Sequence, residues 1–131
     1  MISNKALQAY RSVAKAWNDF VIASWDADAQ GLEQRGYWAY VIELDRADDS
    51  NADEPKPWLY VGESARTPEE RLAEHLAGIH ASRVVQRHGI QLRPELCLDQ
   101  PVLRTRNESK AYEAWLFAFL SAQGYPCEGG H

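Results

Sequence analysis

Apolar residues recur every three to four positions near the start of the chain, at Leu7, Tyr10, Val13/Ala14, Trp17, Phe20/Val21 and Ser24/Trp25. That spacing predicts an amphipathic helix over residues 4–25, capped by Ser3 or Asn4 and ended by DADAQG at 26–31. The period then changes from 3.6 to 2. In GYWAYVIELD (36–45), Trp38, Tyr40, Ile42 and Leu44 point one way, and Tyr37, Ala39, Val41 and Glu43 the other, which predicts a strand. WLYVG (58–62) predicts a second strand, antiparallel to the first and ended by Gly62. The acidic stretch between them, 45–57, has two prolines and no period, and reads as a solvated loop.

A capping box, Thr67-Pro68-Glu69-Glu70, opens a helix with Leu72, Leu76 and Ile79 as its buried stripe and Gly78 as its stop. Residues 81–89 form a short helix, basic on one side, and 90–98 are extended, with Pro94 making an edge strand or a broken one. A second capping box, Thr105-Arg106-Asn107-Glu108, opens a last helix that runs to about Gln123, before Gly124 and Pro126. The order α-β-β-α-α-β-α predicts an α+β domain, a small mainly antiparallel sheet flanked by helices.

Length and composition place 131 residues in one compact unit with an ordinary globular balance, 45% hydrophobic and 25% charged. No apolar run reaches the ~18–20 residues that span a bilayer, and MISNKALQAYRS lacks a signal-peptide core, so the expectation is a cytoplasmic protein with no membrane partner. Cys97 and Cys127 read as two reduced thiols. The net charge of −5 does not advertise nucleic acid, but it is uneven: residues 66–110 hold 8 Lys/Arg against 6 Asp/Glu, together with His75, His80 and His88.

Three features of this frame carry chemistry. Arg71 and His75 are four residues apart on a predicted helix, hence on one face. A guanidinium fork matches phosphate oxygens, and an imidazole exchanges protons near neutral pH; the same spacing also suits a solvated pair. Tyr40 and Tyr60 lie on the two strands and come together if those strands pair; packing is the usual use of such residues. A phenol acts as a base at pH 7 only beside a cation, which Arg71 is placed to supply. Glu113 is the one charged residue in AYEAWLFAFL (111–120). It either faces water along a narrow edge or serves a hard cation, since Mg²⁺ takes one or two carboxylates and completes its shell with water and phosphate.

These residues, in this order, resemble the GIY-YIG nuclease family. Trp38-Ala39-Tyr40 matches the family's first tripeptide loosely and Tyr60-Val61-Gly62 the second closely; Ser64, Arg71 and His75 follow in RTPEERLAEHLAG, and KAYEAWL supplies Glu113. The chain also resembles a small bacterial subgroup that continues through an RHG-x-x-LRPEL-like segment and ends in Gly-Gly-His. The resemblance covers residues 36–124, within a domain expected over 36–131; residues 1–35 form a helical extension outside it. It implies a three-stranded antiparallel sheet, a divalent cation (Mg²⁺ or Mn²⁺) and endonucleolytic hydrolysis of phosphodiesters in DNA. It gives Tyr60, with Tyr40, the deprotonation of water, Arg71 the phosphate charge, His75 proton transfer and Glu113 the metal. Ser64, Arg66, His80, Arg83 and Arg87 are the candidate substrate-binding residues. Glu63 departs from the family pattern: a carboxylate there either faces away from phosphate or helps hold the metal. The acidic balance and the extra helix keep a second reading open, a weakly active or inactive module that binds nucleic acid or protein, with the N-terminal helix docking a partner or a second copy.

Overall fold

The computed structural model describes residues 3–31, 34–47, 56–97 and 99–129. Most of the acidic stretch (48–55) and the last two residues of the Gly-Gly-His ending lie outside the described residues. The chain is α+β, with helices on both faces of a four-stranded mixed sheet rather than a three-stranded one.

Strand β1 (Trp38–Ala47) pairs antiparallel with β2 (Pro57–Ser64) on one side and with the edge strand β3 (Gly89–Leu92) on the other. The fourth strand, β4 (Cys127–Gly129), runs parallel to β2 and gives the order β3-β1-β2-β4. β3 ends before Pro94, which opens a 3-10 turn over Pro94–Cys97, so the extended segment expected to residue 98 is cut short. Proline cannot donate to a ladder, which confines it to edges and ends.

Alternation along β1 and β2 sorts the core into two layers. Ala39, Val41, Leu59 and Val61 face α1 (Asn4–Ala29) and α4 (Arg106–Ala122), and pack with Phe20, Tyr112 and Leu116. Tyr40, Ile42, Leu44 and Tyr60 face α2 (Pro68–Ala77) and α3 (Arg83–His88), and pack with Val85. α1 runs antiparallel along α4, with Trp17 against Trp115, Phe20 against Tyr112 and Asp28 paired to Arg104. Among the described residues, no helix is long and apolar enough to cross a membrane.

The helix boundaries follow local chemistry. Ser3 caps α1 by accepting the Ala6 N–H at 3.1 Å, and the helix continues to Ala29, four residues beyond the expected end. Thr67 and Glu70 form the full capping box of α2, and Gly78 closes it with φ 81°, a left-handed conformation glycine adopts without strain. At α4 only half the second box forms. Thr105 accepts the Glu108 N–H, but Glu108 reaches back to the Arg104 N–H instead of that of Thr105.

Two expected faces turn out differently. α1 buries Ala16, Phe20 and Ala27, while Tyr10, Trp17, Val21 and Trp25 stay exposed. Small side chains let the helix approach the aromatic surface of α4 closely, so the bulkier stripe is left outside. Leu76 on α2 and Ile79 just past its Gly78 cap are about half exposed, and His75 is completely buried. The helix has rolled so that its polar Arg71/His75 edge, with half-buried Leu72, meets the sheet.

Candidate active site

The rotation of α2 follows from what meets His75. The backbone N–H of Ser82 donates to His75 Nδ1 at 3.0 Å, and Nε2 lies 3.1 Å from the Tyr40 hydroxyl. Both ring nitrogens therefore have partners, which makes full burial of an imidazole affordable. Because Nδ1 accepts, the neutral ring carries its proton on Nε2 and donates it to the Tyr40 oxygen. Burial, with Arg71 nearby, lowers the His75 pKa to about 4, so the ring is neutral at physiological pH.

Tyr40 and Tyr60 are diagonal neighbours across β1 and β2, since Tyr40 pairs with Gly62 and Ile42 with Tyr60. Their rings stack at 6.3 Å, and the His75 ring stands edge-on to Tyr60 at 5.5 Å. Gly62 makes this possible. A Cβ there would sit 2.5 Å from the Tyr40 hydroxyl oxygen, so the glycine is the opening through which Tyr40 reaches across β2. Arg71 is held by the carbonyls of Ile79 (3.3 Å) and His80 (2.8 Å) and by Glu74 (3.6 Å). From there it acts on both phenols.

The expected cationic lowering of the phenols is present but outweighed. Burial raises the Tyr40 pKa well above that of a free phenol, Tyr60 adds to this, and the charge and hydrogen bond of Arg71 only oppose it. Tyr60 is raised by burial and by Glu113, against Arg71 and hydrogen bonds from Ser82 and Tyr40. Tyr40 accepts from His75, and Arg71 acts on it as a nearby charge. The observed link runs from His75 Nε2–H to the Tyr40 hydroxyl, with the Tyr60 ring stacked beside it.

Glu113 completes the cluster from the other side of the sheet's end. It is 2% exposed, close enough to Tyr60 to raise its pKa, and its own pKa is raised to about 7 by burial and by Glu63. Glu63 alternates onto the α4 face, away from the two phenols, and does not stand free. Arg106 grips both its carboxylate oxygens at 2.7 and 2.8 Å, Ser109 Oγ donates at 2.7 Å and Lys110 lies at 3.6 Å. Arg106, Ser109, Lys110 and Glu113 share one side of α4, so Glu63 ties β2 to the helix turn that carries Glu113.

The expected substrate-binding residues are not drawn together. Ser64 is buried, and its Oγ accepts the Arg66 N–H at 3.0 Å, which shapes the turn into α2. Arg66 is spent on Glu74 (3.3 Å) and Glu70 (3.7 Å). His80 has φ 44° and lends its carbonyl to Arg71, and Arg83 and Arg87 stand exposed on α3. Sequence reasoning missed Ser82, Arg106, Ser109 and Lys110. The one available signal was the cation pair 106/110 at helical spacing ahead of Glu113.

Compared with protein-family models, with curated proteins and with solved structures, the chain finds no match in any of the three. The donor set therefore has to speak for itself. Among the described residues, no group of three His, Cys, Asp or Glu side chains is arranged to chelate a metal. A hard cation can take a single carboxylate and find its other oxygens in water and phosphate. Of these two neighbouring carboxylates, Glu63 is held by cations of the chain, and Glu113 is the one whose chemistry fits such an ion. A carboxylate whose pKa is raised by a neighbouring carboxylate gains from an added cation.

Proposed function

We propose that this chain is a metal-dependent endonuclease of the GIY-YIG type, hydrolysing phosphodiester bonds in DNA. The observation that carries the reading is the cluster of Tyr40, Tyr60 and His75, with Arg71 and Glu113 near enough to shift the phenols, drawn from four separate elements.

Each residue has a role consistent with its surroundings. Tyr60 is the more exposed of the two phenols, at 7% against 2%. As the phenolate, its own proton released to solvent, it would take a proton from the attacking water. Tyr40, held by His75 Nε2–H, would stabilise the phenolate form of Tyr60 from which that transfer starts. Arg71 is pre-oriented by two backbone carbonyls, so its remaining N–H groups meet phosphate without paying to be ordered. His75, neutral at rest, donates through Nε2 and orients Tyr40. Glu113 would hold Mg²⁺ or Mn²⁺, whose bound charge would stabilise the leaving oxygen.

The raised phenol pKa values favour the second reading, a module that keeps the cleft but does not cut. One experiment separates them. Purified protein is incubated with supercoiled plasmid in Mg²⁺ or Mn²⁺ beside Arg71→Ala and Glu113→Ala. The nuclease reading expects nicked or linear product from the wild type, reduced by about 10²-fold or more in either variant. Equal traces of cutting from all three would leave the binding module standing.

A further inference from the structure

Residues 78–82 join α2 to α3. Their path turns at Gly78, left-handed at φ 81°, and at His80, left-handed at φ 44°, a region that side chains other than glycine seldom occupy. The Arg71/His75 edge of α2 fastens this path. Arg71 donates to the carbonyls of Ile79 and His80 at 3.3 and 2.8 Å, and His75 Nδ1 accepts the Ser82 N–H at 3.0 Å. Ser82, the last residue of the connection, is thereby held beside the imidazole whose ring stands edge-on to Tyr60 at 5.5 Å.

Ser82 also departs from the rule for its position. It is the N-cap of α3, where serine is favoured because its hydroxyl accepts an N–H of the first turn. Ser3, Thr67 and Thr105 each do so for the helix they open. Ser82 makes no such bond, although its backbone is extended like theirs and its carbonyl accepts the Gln86 N–H at 2.9 Å. A hydroxyl withheld from the helix is available to another group, and Tyr60 is the one it meets. Burial and Glu113 raise the Tyr60 pKa; Arg71 and the hydrogen bond with Ser82 oppose the rise.

We propose that Ser82 is a positioning residue of the cleft: its amide fixes the His75 tautomer, and its hydroxyl, withdrawn from the helix cap, holds the Tyr60 oxygen. The two bonds do different work. An amide N–H only donates, so Nδ1 stays unprotonated and Nε2–H is left to face Tyr40. A hydroxyl both donates and accepts, so Ser82 remains a partner to Tyr60 as phenol and as phenolate. One residue thus orients the imidazole and the phenol together, and the clasp of Arg71 on residues 79 and 80 keeps it in place. This arrangement stands without the nuclease reading; its service to proton transfer from water rests on that reading.

A double-mutant cycle in urea at pH 7 tests the hydroxyl. Ser82→Ala should lower the unfolding midpoint in the wild-type background and leave it unmoved in Tyr60→Phe. An equal shift in the two backgrounds, zero included, overturns the hydroxyl's role. Nitrogen-15 NMR of the imidazole tests the amide. His75 should carry its proton on Nε2 in the wild type and in Ser82→Ala, and show mixed tautomers in Ser82→Pro. Proline suits the native φ of −67° and, beyond what alanine removes, takes away the N–H. A wild-type ring protonated on Nδ1, or a tautomer that Ser82→Pro leaves unchanged, overturns the amide's role. Plasmid cutting separates this inference from the nuclease reading. Ser82→Ala should lose about tenfold in rate and Ser82→Thr, which keeps the hydroxyl, should recover most of it. Cutting by the wild type without coupling between Ser82 and Tyr60 overturns this inference alone. Coupling with no cutting by any of the proteins upholds the arrangement and removes the nuclease reading.

Discussion

Replacing Glu113 by Gln should make the protein more stable at pH 8 and leave it nearly unchanged at pH 5. The carboxyl group's pKa is raised from the ordinary 4.5 to about 7 by burial and by Glu63. Between those values the folded state holds a proton that the unfolded state has released. Stability contributed by the neutral form is therefore present below pH 4.5 and is lost as pH rises toward 7. The full gap corresponds to about 3 kcal/mol, which solvent at the mouth of the cleft reduces to about 1–3 kcal/mol. Glutamine mimics the protonated acid in shape and carries no charge. In metal-free buffer, with a urea slope of about 2 kcal/mol per M, the variant's midpoint at pH 8 should exceed that of the wild type by roughly 0.5–1.5 M. The difference between the two proteins isolates Glu113 from every other titrating group. Adding Mg²⁺ or Mn²⁺ at about a hundred times its dissociation constant should return about 2.7 kcal/mol to the wild type and nothing to the variant. A Gln variant that is no more stable than the wild type at pH 8 refutes the electrostatic account of the site. A wild type that gains nothing from either cation refutes Glu113 as the metal donor.

The remaining expectations concern the other side of the cleft. Gly62→Ala should cost about 1–3 kcal/mol by thermal melt and, on the proposed nuclease reading, remove most plasmid cutting, because the new methyl displaces the Tyr40 hydroxyl. His75 works in the opposite pH direction to Glu113. Its folded pKa of about 4 lies below the ordinary 6.5, so its stability is complete above pH 6.5 and lost as pH falls toward 4. His75→Asn should abolish that window, about 1–3 kcal/mol after allowance for solvent, in urea melts at pH 4 and 7. Glu63→Ala removes the anion that Arg106, Ser109 and Lys110 hold; melts should show a loss of about 1–3 kcal/mol, and the loosened α4 should lower activity even where folding is complete.

Much of the frame was legible because periodicity reports which side of an element is apolar. The switch from period 3.6 to period 2 at residue 36 located β1, and alternation placed Tyr40 and Tyr60 on one face, where their rings stack. The capping box at Thr67 was readable in full, because cap chemistry is local. β4 was not readable. Its three residues carry no period, and it exists because α4 returns the chain beside β2. The face of α2 was misread for a related reason. Hydropathy assigns His75 to the surface and Leu76 to the core. The folded chain reverses this because the Ser82 amide and the Tyr40 hydroxyl satisfy both imidazole nitrogens. No window of sequence around His75 contains either partner.

The same reasoning bears on how an acidic chain could meet phosphate, as the proposed function requires. Net charge is a property of the whole surface, whereas phosphate meets only the groups at one place. Glu63, the residue that looked most hostile to phosphate, is enclosed by Arg106 and Lys110, which leaves Arg71 and Glu113 to define the field beside the phenols. Without a cation, that field burdens the folded state: Glu113 raises the Tyr60 pKa, and Glu63 raises that of Glu113. A divalent ion at Glu113 would reverse both effects, removing the anionic pressure on Tyr60 while leaving the pull of Arg71 and the hydrogen bonds from Tyr40 and Ser82 in place. Metal binding and phenol acidity would therefore be linked. The pH at which Tyr60 ionises, followed by its ultraviolet difference spectrum, should fall when Mg²⁺ or Mn²⁺ is added to the wild type and stay put in Glu113→Gln. A Tyr60 titration that ignores the cation would break the link between the two halves of the cleft.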